Sequence, residues 1–289
     1  MVFYHHLNPV IFSFNLFGQP FDFRYYGLMY ILGILFVWLF IRKYQKNFGL
    51  NLTKEEIADI VFYLTIGLLV GGRLGYILFY GLPYFLAHPA EIAAFWRGGM
   101  SFHGGFLLGV IILYFYCRRK KLDFLKVGDL IAVPLPIALA FGRLGNFING
   151  ELWGKAWDGP WAFIFPGAAD PITGLNPPRH PSQLYEILKN LTIFSTLLSL
   201  KRFKPKKGTL FFSFFTLYGI FRIIIELFRA PDVGVPVPLG ISMGQWLSIP
   251  MVIFGIGGLI WIHKRKEKDH KQPEMKESVK KYPKKNKKR

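Results

Sequence analysis

Seven ionisable residues fall inside stretches that are otherwise apolar: Arg73, His103, Asp129, Arg143, Lys189, Arg222 and Glu226. An unpaired charge in such surroundings costs on the order of a few kcal/mol, so these residues are functional candidates. Tyr218, Arg222 and Glu226 recur at i, i+4 and i+8, and Arg229 follows three later, which places all four on one helical face. The plain reading is an Arg222–Glu226 pair that ties helices together. The chemical reading is an arginine fork, oriented by Glu226, that binds an anion such as a phosphate. His103 lies in Gly98-Gly99-Met100-Ser101-Phe102-His103-Gly104-Gly105. Imidazole titrates near neutrality and suits proton transfer. A hydrogen-bonded core histidine is the plainer alternative.

The run Gly142-Arg143-Leu144-Gly145-Asn146-Phe147-Ile148-Asn149-Gly150-Glu151-Leu152-Trp153-Gly154 gathers Arg143, Asn146, Asn149 and Glu151 among four glycines. Each glycine costs a helix about 1 kcal/mol, so the run predicts a broken helix whose amides and arginine line a cavity, or an ordinary turn. No Gly-Lys-Ser/Thr follows and no strand precedes it, which excludes phosphate loops of the Walker and Rossmann kinds. Cys117 is the only cysteine. Disulfide scaffolds and cysteine-ligated zinc are therefore excluded. With no serine nucleophile elbow and no histidine-rich cluster, we expect no metal and no cofactor.

These residues must be positioned by membrane helices. The 289-residue chain is 52% apolar and only 18% charged, with 30 phenylalanines, too greasy for a soluble domain of this length. Runs of about 20 apolar residues predict seven spans, near Tyr25–Ile41, Ile57–Tyr80, Gly98–Cys117, Val127–Ala140, Gln183–Leu200, Thr209–Phe228 and Ile241–Ile262. The fourth is short and carries Pro134 and Pro136. Thr53-Lys54-Glu55-Glu56 reads as a capping box opening the second. The expected fold is all-α and polytopic, with a catalytic membrane region over 1–263, an outer loop region near 150–181 rich in Trp, Pro and Gly, and a flexible basic tail over 264–289.

The connections after spans one, three and five carry four, five and five basic residues, and the tail carries 13. By the positive-inside rule this predicts an outside N-terminus and a cytoplasmic C-terminus. The same distribution explains the net charge of +19 without nucleic acid, which is not an expected partner. No cleavable signal peptide is evident. The first 20 residues read as an extended or amphipathic arm on the outer membrane surface. No internal repeat is visible, which counts against an inverted-repeat transporter.

Physical reasoning alone stops at an enzyme or a transporter that handles an anionic lipid. The 142–154 run resembles the signature of the bacterial prolipoprotein diacylglyceryl transferases. The similarity extends to Arg24-Tyr25-Tyr26-Gly27, Gly72-Arg73-Leu74-Gly75-Tyr76, Ser101–Gly105, His180-Pro181-Ser182-Gln183-Leu184-Tyr185-Glu186, Tyr218–Arg222 with Glu226, Arg229-Ala230-Pro231-Asp232 and Met243–Ser248. The resemblance implies a multi-pass enzyme of the bacterial plasma (inner) membrane, active near its outer face. It implies transfer of diacylglycerol from phosphatidylglycerol to the lipobox cysteine beside a preprolipoprotein signal peptide. On that reading His103, Arg143 and Arg222 are catalytic. Tyr26, Asn146, Asn149, Glu151, Gly154, Tyr218 and Glu226 serve substrate binding with the two arginines. His103 is either the base or a positioning group. A lipid transporter, a signal-peptide scaffold and, more weakly, an intramembrane protease are the rival readings.

Overall fold

Where the chain is continuously apolar, it is helical. The computed structural model describes residues 2–16, 18–94, 98–169, 173–230 and 238–265. Its helices are α1 (Tyr25–Tyr44), α2 (Lys54–Tyr80), α3 (Leu82–Ala87), α4 (Phe102–Lys120), α5 (Phe124–Ala132), α6 (Leu135–Ile148), α7 (Ser182–Arg202), α8 (Thr209–Glu226) and α9 (Met243–Lys264). The expected capping box opens α2, with Thr53 Oγ1 accepting from Glu56 N at 3.1 Å and Glu56 Oε2 accepting from Thr53 N at 2.9 Å. Ser242 and Gln245 make a second one at α9. Each box satisfies amides that the first helical turn leaves without partners.

Among the described residues, four helical stretches, Tyr25–Phe48, Lys54–Tyr80, Thr209–Glu226 and Met243–Lys264, are long and apolar enough to cross a membrane. The fourth predicted span is two helices, α5 and α6, bent by 41° and counting as a fifth crossing if taken together. The break falls at Val133-Pro134, ahead of the glycine run. Pro134 and Pro136 lack the amide hydrogens that would continue the ladder. Gly142 to Ile148, expected to be broken, is instead the regular end of α6. Neighbouring helices outweigh glycine's weak propensity there.

Helix packing sets the remaining geometry. α2 and α4 meet through small residues: a Cβ on Gly71 would lie 2.5 Å from the Gly104 carbonyl, and one on Gly75 would lie 2.6 Å from Gly104 Cα. Backbones this close admit no side chain. The core at the other end is built from Ile41, Ile60, Cys117, Leu130, Leu197 and Phe214, all buried. There the basic connections touch one another. Lys201 Nζ donates to Asn47 O at 2.7 Å, Lys207 pairs with Asp123 at 2.7 Å, and Lys206 Nζ reaches Arg265 O at 3.2 Å.

The N-terminal region departs from an all-α fold. Strands β1 (Phe3–Tyr4) and β4 (Phe163–Ile164) pair in parallel, while β2 (Val10–Leu16) and β3 (Gln19–Arg24) form an antiparallel hairpin. Alternation of aromatic and polar residues at period two decides this. Phe12 faces Phe23 and Phe14 faces Phe21, while Ser13 Oγ donates to Asp22 at 2.8 Å. The extended form of the arm is the observed one. Pro171, Pro231, Asp232 and the tail beyond Arg265 lie outside the described residues.

Candidate active site

The site begins where α6 ends. Arg143 and Asn146 are one turn apart, and Arg143 Nη1 donates to Asn146 Oδ1 at 3.3 Å. Past Ile148 the chain reverses through Gly150 (φ 64°) and Leu152 (φ 58°). The reversal carries Glu151 back beneath the helix end. Its Oε1 accepts from Asn146 Nδ2 at 2.8 Å and from Asn149 Nδ2 at 3.3 Å. The opening of α7 fastens this turn, with Gln183 Nε2 donating to Glu151 O at 2.6 Å and Ser182 Oγ to Leu152 O at 2.8 Å. From the first turn of α1, the Tyr26 hydroxyl reaches Tyr30 at 3.0 Å and Asn146. Gly145 admits its ring, since a Cβ there would lie 2.9 Å from Tyr26 Cδ2.

Across the bundle, α8 presents Tyr218, Arg222 and Glu226 on one face, as their spacing predicts. Arg222 Nη2 pairs with Glu226 Oε2 at 2.7 Å. Arg222 Nη1 donates to Glu186 Oε1, and Lys189 Nζ donates to Glu186 Oε2. Arg143 Nε stands 3.8 Å from that same Oε2, and the Tyr218 hydroxyl interacts with Arg143. One continuous polar network thus joins α1, α6, α7 and α8. Its charges are Arg143, Lys189 and Arg222 against Glu151, Glu186 and Glu226, so it is formally neutral. Arg222 is enclosed at 9% side-chain exposure, whereas Arg143 keeps 18%.

His103 adjoins the network from the first turn of α4. Its neighbour Phe102 stacks on Tyr218 with centroids 4.6 Å apart. Arg222, Lys189 and Glu186 are the charged groups that act on its ring. His103 Nε2 lies 3.4 Å from Ser248 Oγ, and that hydroxyl donates to Gly244 O at 2.6 Å. With its proton committed, Ser248 accepts from Nε2–H. That tautomer leaves Nδ1 as the basic nitrogen.

The sequence model of the family described as Prolipoprotein diacylglyceryl transferase matches residues 9–261. The chain belongs to that family. It is 46% identical to the phosphatidylglycerol--prolipoprotein diacylglyceryl transferase of Geobacter sulfurreducens over 90% of this chain and 97% of that protein. It is 44% identical to the protein of the same name from Serratia proteamaculans, over 90% and 94%. For the Legionella pneumophila protein of that name the identity is 42%, over 92% and 100%.

Within this transferase, eight of the ten residues predicted for the site share the network: Tyr26, Arg143, Asn146, Asn149, Glu151, Tyr218, Arg222 and Glu226. His103 borders it. Gly154 stands apart, at the seam of the 150–181 loop, where its amide donates to His180 O at 2.8 Å. A Cβ on Gly154 would lie 2.5 Å from both His180 Cβ and Phe228 O. Arg229 does not continue the α8 face, because α8 ends at Glu226 and Arg229 bridges to Gly154 in extended backbone. Glu151 reaches Arg143 only through Asn146.

Two expected intramembrane charges have structural partners. Arg73 donates to the carbonyls of Glu91, Ile92, Gly98 and Gly99, clamping the loop ahead of His103. Asp129 accepts from Gly208 N at 2.6 Å and Phe211 N at 2.8 Å, capping α8 from α5. The sequence marks Lys189 as a functional candidate without giving it a role, and it assigns no site role to Glu186, Gln183 or Ser248. Glu186 and Gln183 stand in the 180–186 motif and Ser248 in the 243–248 motif, so the signal was present without a geometry to interpret it.

Proposed function

We propose that this transferase moves the diacylglyceryl group of phosphatidylglycerol onto the lipobox cysteine of a preprolipoprotein, forming a thioether and releasing glycerol 1-phosphate. The observation that carries the reading is Arg143. It is a guanidinium at the end of α6 that keeps open space, while every other cation of the network is enclosed. Its guanidinium is held by the Asn146 amide oxygen at 3.3 Å and the Tyr218 hydroxyl, with Glu186 standing off at 3.8 Å, which leaves further N–H groups to offer a phosphate.

The chemistry follows from what develops charge. The thiolate sulfur attacks the glyceryl carbon bearing the phosphodiester oxygen. A sulfur–carbon bond forms, the carbon–oxygen bond breaks, and its electron pair leaves with glycerol phosphate. The monoanionic diester becomes a phosphate monoester with one more negative charge. Arg143 meets that charge as it grows, and Arg222, fixed between Glu186 and Glu226, holds the electrostatic frame. The substrate thiol must first lose its proton, since the thiolate is the nucleophile. His103 Nδ1 takes it. Tyr26, Asn146 and Asn149 bind headgroup or glyceryl oxygens, Glu151 orients the two asparagines, and Tyr218 steadies Arg143.

The enzyme crosses the bacterial plasma membrane seven times, with α5 and α6 as one broken crossing. α4 and α7 are too polar to qualify by hydropathy because α4 carries His103 at one end with Arg118 and Arg119 at the other, and α7 carries Glu186, Lys189 and Asn190. The gathered basic connections mark the cytoplasmic end, so the site opens near the outer face, where lipobox cysteines emerge.

The test uses the purified chain in detergent with a lipobox peptide and phosphatidylglycerol labelled in its headgroup glycerol. The expected result is a peptide heavier by one diacylglyceryl group, matched by soluble labelled glycerol phosphate, both lost in Arg143→Ala. Binding of both substrates without a covalent product would favour transport or a scaffold. A mass gain without headgroup release would reject this donor chemistry.

A further inference from the structure

We propose that Lys189 is a positioning residue that keeps Arg143 available to the lipid phosphate, by occupying the carboxylate oxygen that Arg143 would otherwise take. The inference rests on the reading of Arg143 as a phosphate contact.

Glu186 is the carboxylate on which three cations converge, and it has two oxygens to give. Arg222 takes Oε1 and Lys189 takes Oε2, both closely. Arg143 Nε is directed at the oxygen held by Lys189 and stands off at 3.8 Å. An arginine beside an unoccupied buried carboxylate closes on it, since fork and carboxylate match in two parallel hydrogen bonds. Such a pair would satisfy Glu186 and consume the guanidinium that the substrate needs. Here neither oxygen is free.

A lysine suits this task. Its ammonium is a compact charge that saturates one oxygen, where a second arginine fork would compete for both. It is also fixed in place. The side chains of Lys189 and Glu186 are 1% and 3% exposed, and Nζ sits 3.9 Å from the centroid of the Tyr218 ring. Enclosed in this way, the ammonium faces Glu186 and Tyr218, and Arg143 is the cation left with exposed surface.

The full chain is assayed in detergent micelles containing phosphatidylglycerol, with a lipobox peptide as acceptor, and KM for the lipid is separated from kcat. Lys189→Met lets Arg143 fall onto Glu186 and should raise KM about tenfold with a smaller change in kcat. Lys189→Gln, which still offers Oε2 a hydrogen bond, should fall between the two and serves if the methionine variant is poorly folded. The decisive variant is Lys189→Met combined with Glu186→Gln. It removes the competing carboxylate, leaves Arg222 paired with Glu226, and should return KM to within about threefold of the parent. A double variant as impaired in KM as the single one would mean that Lys189 touches phosphate itself, overturning the proposal. So would a parental KM for both Lys189→Met and Lys189→Gln while Arg143→Ala is defective. A parental KM in Arg143→Ala would instead remove the phosphate reading, and this inference with it.

Discussion

Arg143 and Arg222 are the same residue type held in opposite ways, and their conservative replacements should separate. Arg222 bridges Glu186 and Glu226. Lysine cannot span both, so Arg222→Lys should lower the thermal midpoint, read by scanning fluorimetry. Arg143→Lys leaves the carboxylate pairs intact and removes only the fork. It should reduce kcat/KM by about 10²-fold at nearly parental stability. His103→Gln tests the base. With Nδ1 lost and polarity kept, kcat should fall about 10²-fold or more at unchanged KM for the lipid, and near-normal turnover would assign His103 to positioning. The arginine and tyrosine of α8 were legible in the sequence because a period near four is visible along one helix. Glu186 was not, since its partner Arg222 is 36 residues away. In the sequence it reads as an acid in the first turns of a helix. Only packing of α7 against α6 and α8 turns it into the centre of the charge network.

At the scale of elements, the sequence placed the helices well and misplaced the break. Four glycines between 142 and 154 invite a break there, yet helix propensity is a weak preference that packing against Tyr26 overrides, while two prolines delete hydrogen bonds outright. The hairpin was less legible because its aromatic residues suit an amphipathic arm of either kind until pairing fixes the period. The seam at Gly154 is sensitive to single atoms. Gly154→Ala drives a methyl group into His180 and Phe228 and should cost about 1–3 kcal/mol of stability together with activity. Gly257→Ala, with nothing within 4 Å of the added carbon, is the control expected to match the parent in unfolding assays. The same seam responds to pH. His180 stacks on Trp157 at 4.3 Å, and its Nδ1 lies 2.9 Å from the Tyr185 hydroxyl. Burial, with Lys155 adding to it, holds its pKa below the ordinary 6.5. A depressed histidine stabilises the fold fully above 6.5 and loses that contribution as pH falls through the lower folded value. Hydrogen exchange of the 155–163 segment, corrected for intrinsic rate, should therefore rise below pH 6.5 in the parent and stay flat in His180→Gln.

For the whole molecule, the two ends of the bundle have different chemistry, and that difference predicts its orientation. At one end Lys201 and Lys206 reach the backbone carbonyls of Asn47 and Arg265, and Lys207 pairs with the Asp123 carboxylate. At the other end lie the polar network, the aromatic seam and the hairpin. A chain inserted with the basic end outward would place exposed lysines against the translocation bias and turn the site away from emerging signal peptides. Cysteine accessibility decides the matter without a background signal, because the single native thiol, Cys117, is buried. Asp158 in the 150–181 loop and Lys204 at the basic end are both exposed. In intact cells, Asp158→Cys should react with a membrane-impermeant maleimide and Lys204→Cys should not. Opening the membrane should make the second react as well. The reverse pattern would place the site on the cytoplasmic side, where a lipobox cysteine is reached before export rather than after. It would also require Arg143 to draw phosphatidylglycerol from the inner leaflet, so this one labelling experiment fixes which leaflet supplies the donor.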